Sequence, residues 1–116
     1  MFDRLLRLLR RSEGPAWVEP DELRRRLRGG DKAMVVDVRS AEEFNGEIGH
    51  IPSAFNIPLP AFSAQIPNLV RSGVPIVLVC LTDKRSAAAA AELAAAGARG
   101  VAVLRGGMKA WRGAAD

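Results

Sequence analysis

The chain has one cysteine and one histidine. A single thiol excludes an internal disulfide framework. Together with a lone imidazole it also excludes a zinc site of the cysteine–histidine type. An unpaired thiol suits a reducing compartment. Aromatic residues make up 5% of the 116 residues, and none is interleaved with the basic clusters, so the stacking platform of single-strand nucleic-acid binders is missing. No apolar run approaches the ~20 residues that cross a bilayer. The apolar residues near the start are interrupted by Arg7 and Arg10, which leaves no signal-peptide core. The expected location is the cytoplasm.

What is present suits one packed domain. Hydrophobic residues make up 48% of the chain, enough for a core without staples. The net charge is +4, and Arg24, Arg25, Arg26 and Arg28 concentrate it near the N-terminus. We read that stretch as a solvated basic face and expect no nucleic-acid partner. Residues 1–14 form a basic amphipathic leader, with Phe2, Leu5, Leu6 and Leu9 at helical spacing. Docking on the domain or fraying as a tail is the favoured reading. Peripheral contact of residues 1–12 with an anionic membrane is the alternative, for which the segment is short. Residues 15–116 are the expected domain.

Within the domain, strands alternate with helices. Trp17-Val18 reads as a short edge strand and Asp21–Leu27 as a charged helix stopped by Gly29-Gly30. Met34–Val38 has the length and apolarity of a strand buried on both faces. Ser40 with Glu43 forms a capping-box pattern opening a short helix through Phe44. A short strand is expected around Ala54–Asn56, then a helix over 60–70 whose regularity Pro67 limits. Ile76–Val79 is the strongest strand and runs into Cys80. After the loop Leu81–Arg85, Ser86 opens an alanine-rich helix. Val101–Leu104 is the last strand, followed by the turn Arg105-Gly106-Gly107 and a short helix, Met108–Arg112. The alternation predicts an α/β domain with a mainly parallel sheet.

Ligands of such sheets bind beyond the carboxyl ends of the strands, where Cys80 sits. The reactive form of cysteine is the thiolate. The N-terminus of the following helix, the cations Lys84 and Arg85, and a nest of loop amides all favour an anion there. Asp83 works against it.

The segment Cys80-Leu81-Thr82-Asp83-Lys84-Arg85-Ser86 resembles the active-site loop of rhodanese domains, which often reads Cys-x-x-Gly-x-Arg-Ser. Asp37-Val38-Arg39 with Glu43-Phe44, Gly49–Ala54 with Asn56-Ile57-Pro58, and Leu104–Gly107 with Trp111 resemble three further signatures of that family. The resemblance runs from about Trp17 to Trp111. It implies a rhodanese-like fold, a central five-stranded, mainly parallel sheet flanked by helices. It also implies a thiosulfate or persulfide sulfurtransferase working through a Cys80 persulfide, with ping-pong kinetics and no cofactor or metal. The implied partners are a small anionic sulfur donor, thiosulfate or a persulfide, and a thiol or cyanide acceptor. A sulfur-acceptor protein is a further implied partner, and nothing demands more than a monomer. The second reading is a sulfur carrier or partner-binding module with little turnover. Related dual-specificity phosphatases have a longer loop with arginine six positions after cysteine; here Arg85 is five positions after Cys80, a smaller cradle suited to sulfur.

Cys80 is the expected nucleophile. The expected substrate contacts are Leu81, Thr82, Asp83, Lys84, Arg85 and Ser86, chiefly through backbone amides. Arg85 has two readings, binding an anionic substrate or pairing with an acid to brace the loop. Lys84 either contacts the donor or faces solvent. Asp37 and Arg39 are expected to pair as structural support, with a substrate role for Arg39 as the alternative. His50 is expected to be a hydrogen-bonded scaffold residue, and Trp111 to pack on the core. Asp83 and Ser53 stand where the family usually has glycine. If the loop needs positive φ at 83, aspartate is tolerated less well than glycine, and its charge is expected to repel thiosulfate.

Overall fold

The computed structural model describes residues 14–113. Nearly all of the basic leader therefore lies outside the described residues. Five strands, β1 (Ala16–Val18), β2 (Met34–Asp37), β3 (Phe55–Asn56), β4 (Ile76–Val79) and β5 (Val101–Leu104), form one sheet in the order β1-β5-β4-β2-β3. Every pairing is parallel, so the expected mainly parallel sheet is parallel throughout. The helices are α1 (Pro20–Arg28), α2 (Ala41–Phe44), α3 (Leu59–Ser72), α4 (Lys84–Ala95) and α5 (Gly107–Gly113).

Strand side chains alternate faces with period two. Val36, Val38, Ile76, Leu78, Cys80, Val101 and Val103 face one side, where Phe62, Ile66 and Leu69 of α3 and Ala89, Ala90 and Leu93 of α4 cover them. Val35, Val77, Val79 and Leu104 face the other, against Leu23 of α1, Ile51 and Met108 of α5. This is why the central strands are apolar except for Asp37 at the end of β2: neither face meets water. Full burial of a side chain such as Phe62 or Leu93 stabilises the fold by about 1.5–3 kcal/mol.

Two local expectations need correction. Helix α3 runs through Pro67 to Ser72 without a break. Phe62, Ile66 and Leu69 lock it onto the sheet, and Pro67 sits on the exposed side, so packing outweighs the one missing N–H. Helix α4 begins at Lys84 rather than Ser86. The Asp83 carbonyl already accepts from the Ala87 amide at 2.9 Å, which leaves a loop of four residues after β4, Cys80 to Asp83.

Candidate active site

The site forms where β4 hands over to α4, at the carboxyl end of the sheet. Cys80 directly follows β4 and is 1% exposed. Its Sγ lies 3.4 Å from the Ser86 amide and 3.3 Å from Ser86 Oγ. Ser86 is the third residue of α4 and is fully buried. The first amides of a helix lack partners within it, and a side-chain oxygen from the N-cap normally accepts from the third. Here the N-cap, Asp83, makes no such bond. The cysteine sulfur takes that place, at the positive end of a 12-residue helix. Sulfur accepts hydrogen bonds best as the thiolate, the reactive form of cysteine.

The Asp83 carboxylate points elsewhere. Its Oδ2 accepts from the Gly106 amide at 3.1 Å. Its φ is −148°, so the position does not call for a left-handed residue and the absence of glycine there carries no backbone strain. The turn that Asp83 holds presses directly on the cysteine loop. Met108 and Lys109 of α5 donate their amides to the Cys80 and Leu81 carbonyls at 2.8 and 3.0 Å. Gly107, with φ +58°, lies so close that a Cβ there would sit 1.9 Å from the Thr82 carbonyl oxygen and 2.3 Å from that of Cys80.

Arg85 takes the bracing arrangement. Its Nη1 and Nη2 donate to Glu43 Oε1 and Oε2 at 2.8 and 3.0 Å. The same glutamate closes the capping box of α2: it accepts from the Ser40 amide at 3.2 Å, while Ser40 Oγ accepts from the Glu43 amide at 3.1 Å. The Arg85 hydrogen bonds, opposed by partial burial and helped by the Ser40 amide, lower the Glu43 carboxyl to about 2. In return Glu43 raises Arg85, with smaller contributions from the nearby Cys80 and Asp37 charges. Local reading finds the Ser40–Glu43 pattern but misses the second role of Glu43, because its partner is 42 positions away.

Asp37 and Arg39 form a second, fully buried ion pair behind the loop, 0% and 1% exposed. Arg39 Nη2 donates to Asp37 Oδ2 at 2.8 Å and to the Gly49 carbonyl at 2.8 Å; Nε reaches both Asp37 oxygens, and Nη1 the Glu43 carbonyl. All three guanidinium nitrogens are thus engaged, the saturation a buried charge requires. Asn56 donates to the Asp37 and Arg39 carbonyls at 3.1 and 2.9 Å, a support that sequence reading missed. His50 stacks on Phe44 with ring centroids 3.6 Å apart, and its Nδ1 bonds the Phe44 carbonyl at 2.7 Å. Lys84 and Thr82 are exposed, Leu81 half-buried. Trp111 packs on the far side of the sheet beneath Arg24, whose guanidinium carbon is 3.9 Å from the ring centroid. No group of acidic, cysteine and histidine side chains able to hold a metal occurs among the described residues. No helix among them is long and apolar enough to cross a membrane.

The family model of the rhodanese-like domain matches residues 19–114. An uncharacterized protein of Synechocystis is 39% identical over 87 residues, covering 74% of this chain and 46% of that protein. The chain spans about half the length of the curated relatives it matches. A rhodanese-like domain protein of Staphylococcus aureus is 34% identical, with a TM-score of 0.66 over 83% of this chain and 90% of that one. The thiosulfate sulfurtransferase of Pseudomonas aeruginosa superposes with a TM-score of 0.77 at 22% identity, over 88% of this chain and 19% of that one. At that identity the likeness concerns the fold alone.

Proposed function

The chain belongs to the rhodanese-like domain family, and from that premise we propose that it is a sulfurtransferase carrying sulfane sulfur as a Cys80 persulfide. The observation that carries this reading is the seating of Cys80 Sγ on the Ser86 amide and hydroxyl at the start of α4. With thiosulfate as donor, the Cys80 thiolate attacks the outer sulfur. The S–S bond of thiosulfate breaks, sulfite leaves with the electron pair, and the enzyme keeps a persulfide anion. A thiol persulfide serves as the alternative donor. In the second half-reaction cyanide or a thiolate attacks the terminal sulfur, and the Cys80 thiolate is released. The substrate contacts in this reading are the amides of Leu81, Thr82, Asp83, Lys84, Arg85 and Ser86, which present partial positive charge to a terminal sulfur. A lone thiol that must stay reduced fits the cytoplasm. The reaction needs no second copy of the chain.

One observation favours a second reading. Cys80 is 1% exposed, so a persulfide there is shielded and suits a carrier that hands sulfur to an acceptor protein with little turnover of its own. Mass spectrometry of the intact protein after incubation with thiosulfate or a small persulfide tests the chemistry. The wild type should gain one sulfur that cyanide removes, and Cys80→Ala should gain none. No adduct with either donor would sink the reading. Multiple turnovers with cyanide would separate the enzyme from the carrier.

A further inference from the structure

We propose that Asp83 selects the sulfur donor, turning the site away from dianionic thiosulfate and toward a persulfide bearing at most one negative charge. This deepens the sulfur-transfer reading and rests on it. Asp83 is the only acid in the segment from Cys80 to Ser86. Its carboxylate serves neither usual purpose of an aspartate at that place. It does not cap α4, and its negative φ shows that no left-handed turn calls for it. Instead the Gly106 amide holds it at 3.1 Å, so the negative charge stays half-buried at the start of α4, three residues from Cys80.

The cations that would offset it are committed or screened. Arg85 spends both terminal nitrogens on Glu43, which makes that pair neutral as a unit. Lys84 and Lys109 are exposed, and solvent and salt weaken their field. What remains for the donor is the dipole of the α4 N-terminus and the loop amides, with one half-buried carboxylate in the same loop. Coulomb repulsion scales with the donor's charge, so the carboxylate penalises a dianion twice as much as a monoanion in free energy and a neutral donor not at all. The favoured step has the Cys80 thiolate attack the terminal sulfur of a hydropersulfide R–S–SH. The S–S bond of the donor breaks, R–S⁻ leaves with the electron pair, and Cys80–S–SH is formed.

The test measures the rate of sulfur uptake by the full chain from thiosulfate and from 2-hydroxyethyl persulfide, by rapid quench and mass spectrometry. Asp83→Asn keeps an oxygen for the Gly106 amide and removes the charge; Asp83→Ser is a second neutral variant in case asparagine disturbs the turn. At low salt the neutral variants should take sulfur from thiosulfate about tenfold faster than the wild type, a gain that shrinks toward 1 M salt. Uptake from the persulfide should rise by about threefold or less. Equal change with both donors, or a gain indifferent to salt, would show that Asp83 only shapes the loop and would overturn the inference while leaving sulfur transfer intact. Absence of any Cys80-dependent uptake from either donor would instead refute the sulfur-transfer reading, and this inference with it.

Discussion

Replacing Gly107 by alanine should cost about 3–4 kcal/mol, and the figure divides into two parts that can be measured separately. The first is conformational. Gly107 has φ +58°, where an L residue with a Cβ is strained by about 1–2 kcal/mol. The second is the close approach. The new methyl would stand 1.9 Å from the Thr82 carbonyl oxygen and 2.3 Å from that of Cys80, and these are backbone atoms with no rotamer to yield. Helix α5 must move off the cysteine loop, which breaks the Met108–Cys80 and Lys109–Leu81 hydrogen bonds at about 1 kcal/mol each. Gly73 supplies the control. It has φ +70° at the end of α3, and nothing lies within 4 Å of its would-be Cβ, so Gly73→Ala should show the conformational part alone, about 1–2 kcal/mol. Urea unfolding followed by tryptophan fluorescence reads both. With a slope of about 1–1.5 kcal/mol per molar, the Gly107→Ala midpoint should fall by ~2–4 M. Alkylation of Cys80 in the native state should also quicken as the loop loosens, and in Gly73→Ala it should not. Equal destabilisation by the two substitutions would refute the view that Gly107 is required by its contact with the loop.

Two other perturbations probe the same site. Glu43→Gln removes the partner of Arg85. The glutamate titrates near 4.5 when unpaired and about 2 when folded, so its stabilisation is complete above pH 4.5 and is lost as pH falls toward 2. The unscreened shift corresponds to about 3 kcal/mol, but both side chains are more than a third exposed, and screening reduces the expected contribution to about 1 kcal/mol. Thermal unfolding of wild type and Glu43→Gln should therefore differ at pH 6 and converge near pH 2; a constant gap across that range would contradict the assignment. Ser86→Ala removes the hydroxyl 3.3 Å from the cysteine sulfur and keeps the amide. A hydrogen bond of about 1 kcal/mol to the thiolate predicts roughly fivefold slower alkylation of Cys80 by iodoacetamide at pH 7, and an unchanged rate would mean that the hydroxyl donates elsewhere.

The order of elements and the position of Cys80 are legible without coordinates. Apolar strands buried on both faces, a capping box at Ser40 and Glu43 and glycine turns are patterns spanning a few residues, and local physics acts over that range. Cys80 at the end of β4 follows from them, as does the neighbouring pair Asp37 and Arg39. What the fold alone decided are the contacts between segments far apart in the chain. Glu43 reaches Arg85, Asp83 reaches Gly106, and Gly107 lies against the carbonyls of Cys80 and Thr82. The residue types at these positions are compatible with several partners, and only the strand order β1-β5-β4-β2-β3 brings α2, α4 and α5 together around one loop. For Asp83 the difference is largest. In the sequence it is a departure from an expected glycine; in the structure it is a charge fixed in place by an amide 23 residues away, because its own helix had already given the capping position to the cysteine sulfur.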